Sequence, residues 1–294
     1  MVDPDTDALA GLAAPARAPE RHPVPRRRRR PVVTRVVLGA VVPVTLVALW
    51  QALGSIGALR TFVPTPFEVA VAFAAFLDPT ATGPALPGTV GFAGQGLAHV
   101  GASVQLLLSA YVVAVAIGVP AGAALALSPL FRSLTDPMVQ GLRAIPIFAW
   151  LPLAIVWFGL GPAPARFLVV VGAVFPILVA TADAVARVPR AWVETARMLG
   201  TPRRQLLRRV YLPAALPGIV VGCRLGVSLG WMSVIVGEFV STSTLGIGVM
   251  MDSARMTGRL DQVVVGMVCF AVLGLLSDTV LRVASARWTR WART

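Results

Sequence analysis

Apolar residues gather along this chain in blocks separated by short polar, arginine-rich or proline-rich stretches. Six blocks stand out: residues 32–53, a stretch within 98–127, 144–160, 167–185, 217–240 and 263–281. Most reach the roughly 20 apolar residues that a helix needs to cross a bilayer core. The block at 144–160 is short and carries Pro146 and Pro152. The first block is too long for the apolar region of a secretory leader, which runs to about 15 residues, so it is expected to span. The pattern predicts an all-α membrane protein with six transmembrane helices. A further apolar run, FVPTPFEVAVAFAAF at 62–76, follows Pro64 and Pro66. With about 12 apolar residues in a row it reads as an interfacial helix rather than a seventh span.

Composition agrees with lipid as solvent. The 294 residues are 56% hydrophobic and 13% charged, more apolar surface than a soluble domain of this size hides. Charge then gives the orientation. All 26 basic residues are arginine. With both termini inside, the inner tails and loops hold 21 of them, whereas the outer segments hold Arg60, Arg166, Arg255 and Arg259. That asymmetry predicts N-in, C-in topology. The net charge of +13 is thereby explained by orientation and not by nucleic-acid binding. Residues 1–31, rich in Pro, Ala and Arg, are expected to be a disordered basic cytoplasmic tail, and 32–294 the membrane domain.

Enzymatic chemistry finds no support. Without lysine there is no P-loop, and no nucleophile–His–acid set or HExxH occurs. Cys223 and Cys269 lie in apolar runs with no metal-ligand spacing. His22 falls in the tail, and His99 stands alone, with a solvated or interfacial place expected for both.

The most informative polar stretch is ETARMLGTPRRQLLRRVYLP at 194–213, within a loop of about 187–216. Val188, Trp192, Thr195, Ala196 and Leu199 recur at helical spacing and predict a short helix over 190–199. Gly200 follows as a C-cap residue, Thr201 as an N-cap and Pro202 as a first-turn residue. A second short helix presents Leu206, Leu207, Val210 and Tyr211 on one side and Arg203, Arg204, Arg208 and Arg209 on the other. Pro213 and Pro217 are expected to end it and restart the chain as the fifth span. From the residues alone, such a loop suits either a docking surface or a basic patch on anionic lipid.

The spacing of this loop resembles a known pattern. Glu194-Thr195-Ala196, three residues, Gly200, nine residues, Val210, one residue and Leu212-Pro213 is similar to the EAA loop of ABC importer permeases (EAA, x3, G, x9, I-x-LP). Thr replaces the first Ala, and Val the Ile. The stretches VPTPFEV, LRAIPIFAWLPLAIVWFGLG and GWMSVIVGE resemble the branch that imports nitrate, sulfonate, taurine and related solutes, and the likeness covers about residues 60–292. It implies that the loop fits a groove on a separate ATPase, with Glu194, Ala196 and Gly200 shaping that surface. It also implies a permease homodimer, two ATPase subunits that hold the ATP and Mg, an extracytoplasmic solute-binding protein, and a place in the bacterial cytoplasmic membrane. This chain would hold no cofactor itself.

Within the spans, ionisable groups are costly and mark function or pairing. Arg224 and Glu238 lie in the fifth span, too far apart to pair along one helix; Arg224 suits snorkelling or an inter-helix pair, and Glu238 the pathway mouth or a neighbouring helix. Asp183 with Arg187, and Asp278 with Arg282, read as helix-end pairs at i,i+4. Gly222, Gly226 and Gly230 predict close approach of another helix. In the resembling family the fifth span lines the path near the dimer axis. That makes Ser228, Trp231, Met232 and Ser233 gate candidates, with packing the competing role, and adds Glu238 to the path. Arg143, with Gln140, Ser103, Gln105 and Ser109, supplies donors for an anion. A self-contained ion-coupled secondary transporter is the alternative function.

Overall fold

The computed structural model describes residues 32–57, 62–81 and 92–288; the tail at 1–31 lies outside them. Residues 1–48 and 49–294 form two units. The described part of the first belongs to α1 (Val32–Ser55), a helix of 24 residues. The helices that follow α1 belong to the second unit.

Helix α2 (Pro66–Leu77) starts where the proline pair predicts. Thr65 Oγ1 accepts the Glu68 N–H at 3.2 Å, and Glu68 Oε2 accepts the Thr65 N–H at 2.8 Å. This capping box satisfies two end donors reciprocally. Val69, Ala72 and Phe76 face the core, while Phe67 and Val71 face out.

Three long helices make the centre: α3 (Gly96–Leu127), α6 (Pro162–Ala186) and α9 (Leu212–Phe239). Between α3 and α6 runs α4 (Pro129–Ala144), then a 3-10 turn Ile147–Trp150 and α5 (Leu151–Phe158). Between α6 and α9 lie α7 (Arg190–Met198), α8 (Arg203–Leu206) and a π-helical turn Leu207–Tyr211. After α9 come α10 (Ile247–Met256) and α11 (Leu260–Trp288). No strand occurs among the described residues.

Small residues bring the centre together, as the glycine spacing predicts. A Cβ on Gly222 would meet Ala180 Cβ at 2.6 Å, and one on Gly226 would meet Ile177 Cγ1 at 2.8 Å. Gly218 sits as close to Ala184, and Gly237 to Ala165. Helix α3 adds Gly122, whose Cβ would fall 2.8 Å from Thr181 Cβ. In lipid no hydrophobic drive joins helices, so this close backbone contact supplies the adhesion. The main core gathers Phe76, Leu107, Ile177, Val234, Ile247, Met250 and Val265 from six helices. Helix α11 meanwhile turns Met267, Leu275 and Val280 outward, a surface suited to lipid.

Among the described residues, four helical stretches are long and apolar enough to cross a bilayer: Gly96–Leu127, Pro162–Ala186, Arg203–Phe239 and Leu260–Ala286. The third predicted span is corrected. Instead of one helix over 144–160, α4 and the Ile147–Phe158 segment meet at a bend of 97°, giving a fifth span only if the bent pair counts as one. The residue before a proline is forced out of helical geometry, and Ile145, before Pro146, is extended with ψ 119°. Pro152 breaks nothing, because it falls in the first turn of α5, where its missing N–H is not needed.

Candidate functional site

An open groove of about 890 Å³ runs between the α4–α5 bend, α6 and α9. Arg143 and Phe148 line it from the bend, Phe175 and Asp183 from α6, and Leu229 and Met232 from α9. Its walls are mostly apolar, with Arg143 and Asp183 as the charged side chains among the lining residues. Ser233 reaches the lining too, but its Oγ is engaged with the Leu229 carbonyl at 2.9 Å. Met232 is half exposed, as are Leu225 and Leu229 one and two turns below it.

The segment from 187 to 216 folds as two arms around Gly200. Gly200 has φ +77°, a left-handed geometry that ends a helix and favours glycine. The Gly200 N–H donates to the Arg197 carbonyl at 2.9 Å, and that of Thr201 to Ala196 at 3.1 Å. The loop divides cleanly by burial. Val188, Val193 and Leu206 are buried with Val185, Ala215 and Ile219, and Ala196, Val210 and Leu212 pack against them. Glu194, Thr195, Gly200 and Pro213 stay exposed. Met198 and Leu199 are 81% and 80% exposed at the tip, and Trp192 is half exposed. The arrangement leaves an apolar tip on a buried stalk.

Two expectations for this loop are corrected. The cap before α8 is Pro202, with no side-chain bond from Thr201. Pro213 and Pro217 do not interrupt the chain, which is helical from Arg203 to Phe239. The π turn at Leu207–Tyr211 shifts the local bonding pattern just before Pro213, and such a turn accommodates the amide hydrogen that a proline lacks. The buried face of α7 also differs, resting on Val193 rather than on Trp192 and Leu199.

A family model described as "Binding-protein-dependent transport system inner membrane component" matches residues 114–290. The chain belongs to this family. It is an inner-membrane permease component of ABC transporters, in the branch that holds sulfonate and taurine permeases. The taurine transport system permease protein TauC of Escherichia coli (strain K12) is 31% identical over 265 residues, 90% of this chain and 92% of its own. The putative aliphatic sulfonates transport permease protein SsuC of Bacillus subtilis (strain 168) is 29% identical over 254 residues, 86% of this chain and 87% of its own. The inward-facing MetNI methionine ABC transporter matches in structure with a TM-score of 0.53 at 22% identity, over 64% of this chain and 94% of that one. At that identity the likeness speaks for the fold.

The permease places the remaining predicted residues apart from one another. Of the six path candidates, Arg143, Met232 and Ser233 share the groove. Ser228 is exposed on α9, with its Oγ donating to the Arg224 carbonyl at 3.2 Å. Trp231 is buried, and its Nε1 donates to Ser277 Oγ at 3.1 Å. Glu238 is buried as well, at the far end of α9. Arg224 makes the inter-helix pair that was one of its two expected roles: Nε donates to Asp278 Oδ1 at 2.6 Å and a terminal nitrogen to Oδ2 at 2.9 Å. Asp278 therefore bonds Arg224 across the α9–α11 contact, in two-pronged guanidinium geometry, rather than Arg282 one turn on. Asp183 and Arg187 do pair, at 3.6 Å.

One buried group escaped sequence reasoning. His99 is fully buried instead of interfacial. Its Nδ1 faces the Gly246 backbone, accepting the N–H at 3.1 Å in one tautomer and donating to the carbonyl oxygen at 3.0 Å in the other. Ser103, one turn along α3, is buried beside it and accepts the Ile247 N–H at 2.9 Å. The i,i+4 spacing of His99 and Ser103 was the available sign that both lie on one helix face.

Proposed function

We propose that this permease carries a small anionic or organosulfur solute across the membrane and couples that movement to ATP hydrolysis in separate ATPase subunits. The observation that carries the reading is mechanical. The exposed tip of Met198 and Leu199, with Glu194 and Gly200 beside it, is joined to the stalk, and the stalk continues as one unbroken helix into α9, which lines the groove. A push on the tip passes through the left-handed turn at Gly200 and then along one helix, Arg203–Phe239, to the groove wall. Two ATPases would receive the tips of two permease copies, and an extracytoplasmic binding protein would deliver the solute. Six spans with both termini inside, α1 and the bent α4–α5 pair among them, put the tip in the cytoplasm as this requires. The arginine distribution supports that topology.

The groove supports the solute class. Its mostly apolar walls and the Arg143 guanidinium suit a small anion with a short organic body. Relatives named for taurine, aliphatic sulfonates and bicarbonate share that anionic chemistry. An ion-coupled secondary transporter would need a free ionisable group along the path, whereas Arg224 and Glu238 are both held in internal bonds.

Co-purification with candidate ATPase subunits tests the reading, with the mass of the intact complex as readout. Two permeases with two ATPases are expected. Gly200→Asp and Glu194→Lys are expected to lose the ATPase while keeping a folded membrane domain. Retention of the ATPase by both variants, or solute uptake by the lone chain driven by an ion gradient, refutes the reading.

A further inference from the structure

The first amide groups of a helix have no partner within it and need one from elsewhere. At α10 the first three are all satisfied by side chains from other helices. The Gly246 N–H reaches His99 Nδ1 at 3.1 Å, and the Ile247 N–H reaches Ser103 Oγ at 2.9 Å, both on α3. The Gly248 N–H donates to Glu238 Oε2 at 2.7 Å, on α9. Ser103 Oγ in turn donates to Glu238 Oε1 at 2.6 Å. Both carboxylate oxygens thus act as acceptors, and one of them joins α3 to α9.

The backbone is built around that carboxylate. A Cβ on Gly246 would lie 2.8 Å from Glu238 Cδ, and one on Gly248 2.8 Å from Glu238 Cβ. Gly246 also has φ +148°, a conformation that other residues rarely take. Helix α10 has 10 residues, about 15 Å at 1.5 Å per residue, too short to cross a bilayer. Yet Ile247, Met250 and Met251 sit in the main core with residues of α2, α3, α9 and α11. A small pocket of about 130 Å³ lined by Gln105, Arg166, Ser241 and Ser243 has Glu238 in its wall.

We propose that Glu238 is a positioning residue: with Ser103 and His99 it pins α10 between α3, α9 and α11, and the pinned helix seals the outer end of the permease against small ions. The seal rests on the conducting role and topology proposed above; the pinning stands on the bonds alone. A buried carboxylate holding a helix start is a stiff anchor, because removing it leaves the Gly248 N–H and the Ser103 hydroxyl without their acceptor in a dry setting.

Two measurements on the purified full-length chain test this, one by hydrogen–deuterium exchange in detergent and one by iodide entry into lucigenin-loaded proteoliposomes. Glu238→Gln keeps the shape but turns an amide donor toward one of the two donors the carboxylate now accepts. Ser103→Ala removes the bridge, and Ser103→Thr restores the hydroxyl. Exchange over 245–251 is expected to rise by about tenfold or more in Glu238→Gln and Ser103→Ala, with 190–211 unchanged and Ser103→Thr close to wild type. Iodide entry is expected to follow the same order, several-fold above a tight wild type. Unchanged exchange overturns the pinning. Raised exchange without iodide entry, or a wild type that already leaks as fast as the variants, overturns the seal. If Glu238→Gln does not fold, Ser103→Ala against Ser103→Thr decides both points. Failure of the ATPase reading would appear as ATPase retained by both loop variants or as ion-driven uptake by the lone chain, and would leave the exchange and iodide measurements intact.

Discussion

The α6–α9 seam allows a prediction whose sign depends on which of two effects wins. Gly222→Ala adds one methyl in mid-helix. By intrinsic propensity alone the change gains up to about 1 kcal/mol, because alanine is the better helix former. The seam opposes it. The new Cβ would lie 2.6 Å from Ala180 Cβ and 3.3 Å from the Pro176 carbonyl oxygen. Carbon atoms rest at about 3.5–4.0 Å, so the two helices must separate locally by roughly 1 Å. Overpacking of this kind costs about 1–3 kcal/mol, and every neighbouring contact along the seam loosens with it. The net expectation is a loss of about 1–2 kcal/mol. For a chain of this length each kcal/mol moves the midpoint by about 2–4 °C, so the Tm should fall by a few degrees. Gly274→Ala on α11 is the control: its Cβ meets nothing within 4 Å, and the propensity gain should stand alone. Thermal unfolding of both variants in detergent, followed by tryptophan emission, gives the comparison. A Gly222→Ala protein as stable as wild type, or a Gly274→Ala protein equally damaged, would refute close helix approach as the glue of this fold.

Other substitutions separate further claims. Asp278→Ala removes the two-pronged partner of the Arg224 guanidinium and should lower the Tm more than Asp183→Ala, whose pair is longer and more exposed. Trp231→Phe removes the bond to Ser277 while keeping the edge contact with Phe270, so the same melt should fall by about 1 kcal/mol. Thr65→Ala removes half of the α2 capping box, with an expected cost of about 1 kcal/mol and faster amide exchange confined to the first turn of α2.

Much of this permease is legible along the chain because lipid simplifies the code. Apolar blocks long enough to span, arginines biased to one side, and glycines every fourth residue on α9 each follow from one local rule, and the long helices fall where those rules put them. The loop spacing was legible for the same reason, since Gly200 marks a left-handed turn wherever it stands. Prolines were harder. Pro146 breaks its helix while Pro152 and Pro213 do not, because each of the latter falls in a first turn, where the missing donor is not needed, and Pro217 is carried inside α9. Charged partners were harder still: Arg224 finds Asp278 54 residues away, and Glu238 finds Ser103 135 residues away. By itself the sequence determined the solvent, the helices and the turn at Gly200, all set by neighbours within a few turns. Only the tertiary structure decided who satisfies the buried polar groups, because a hydrogen bond in a dry interior is fixed by which helices meet, and no local pattern records that meeting.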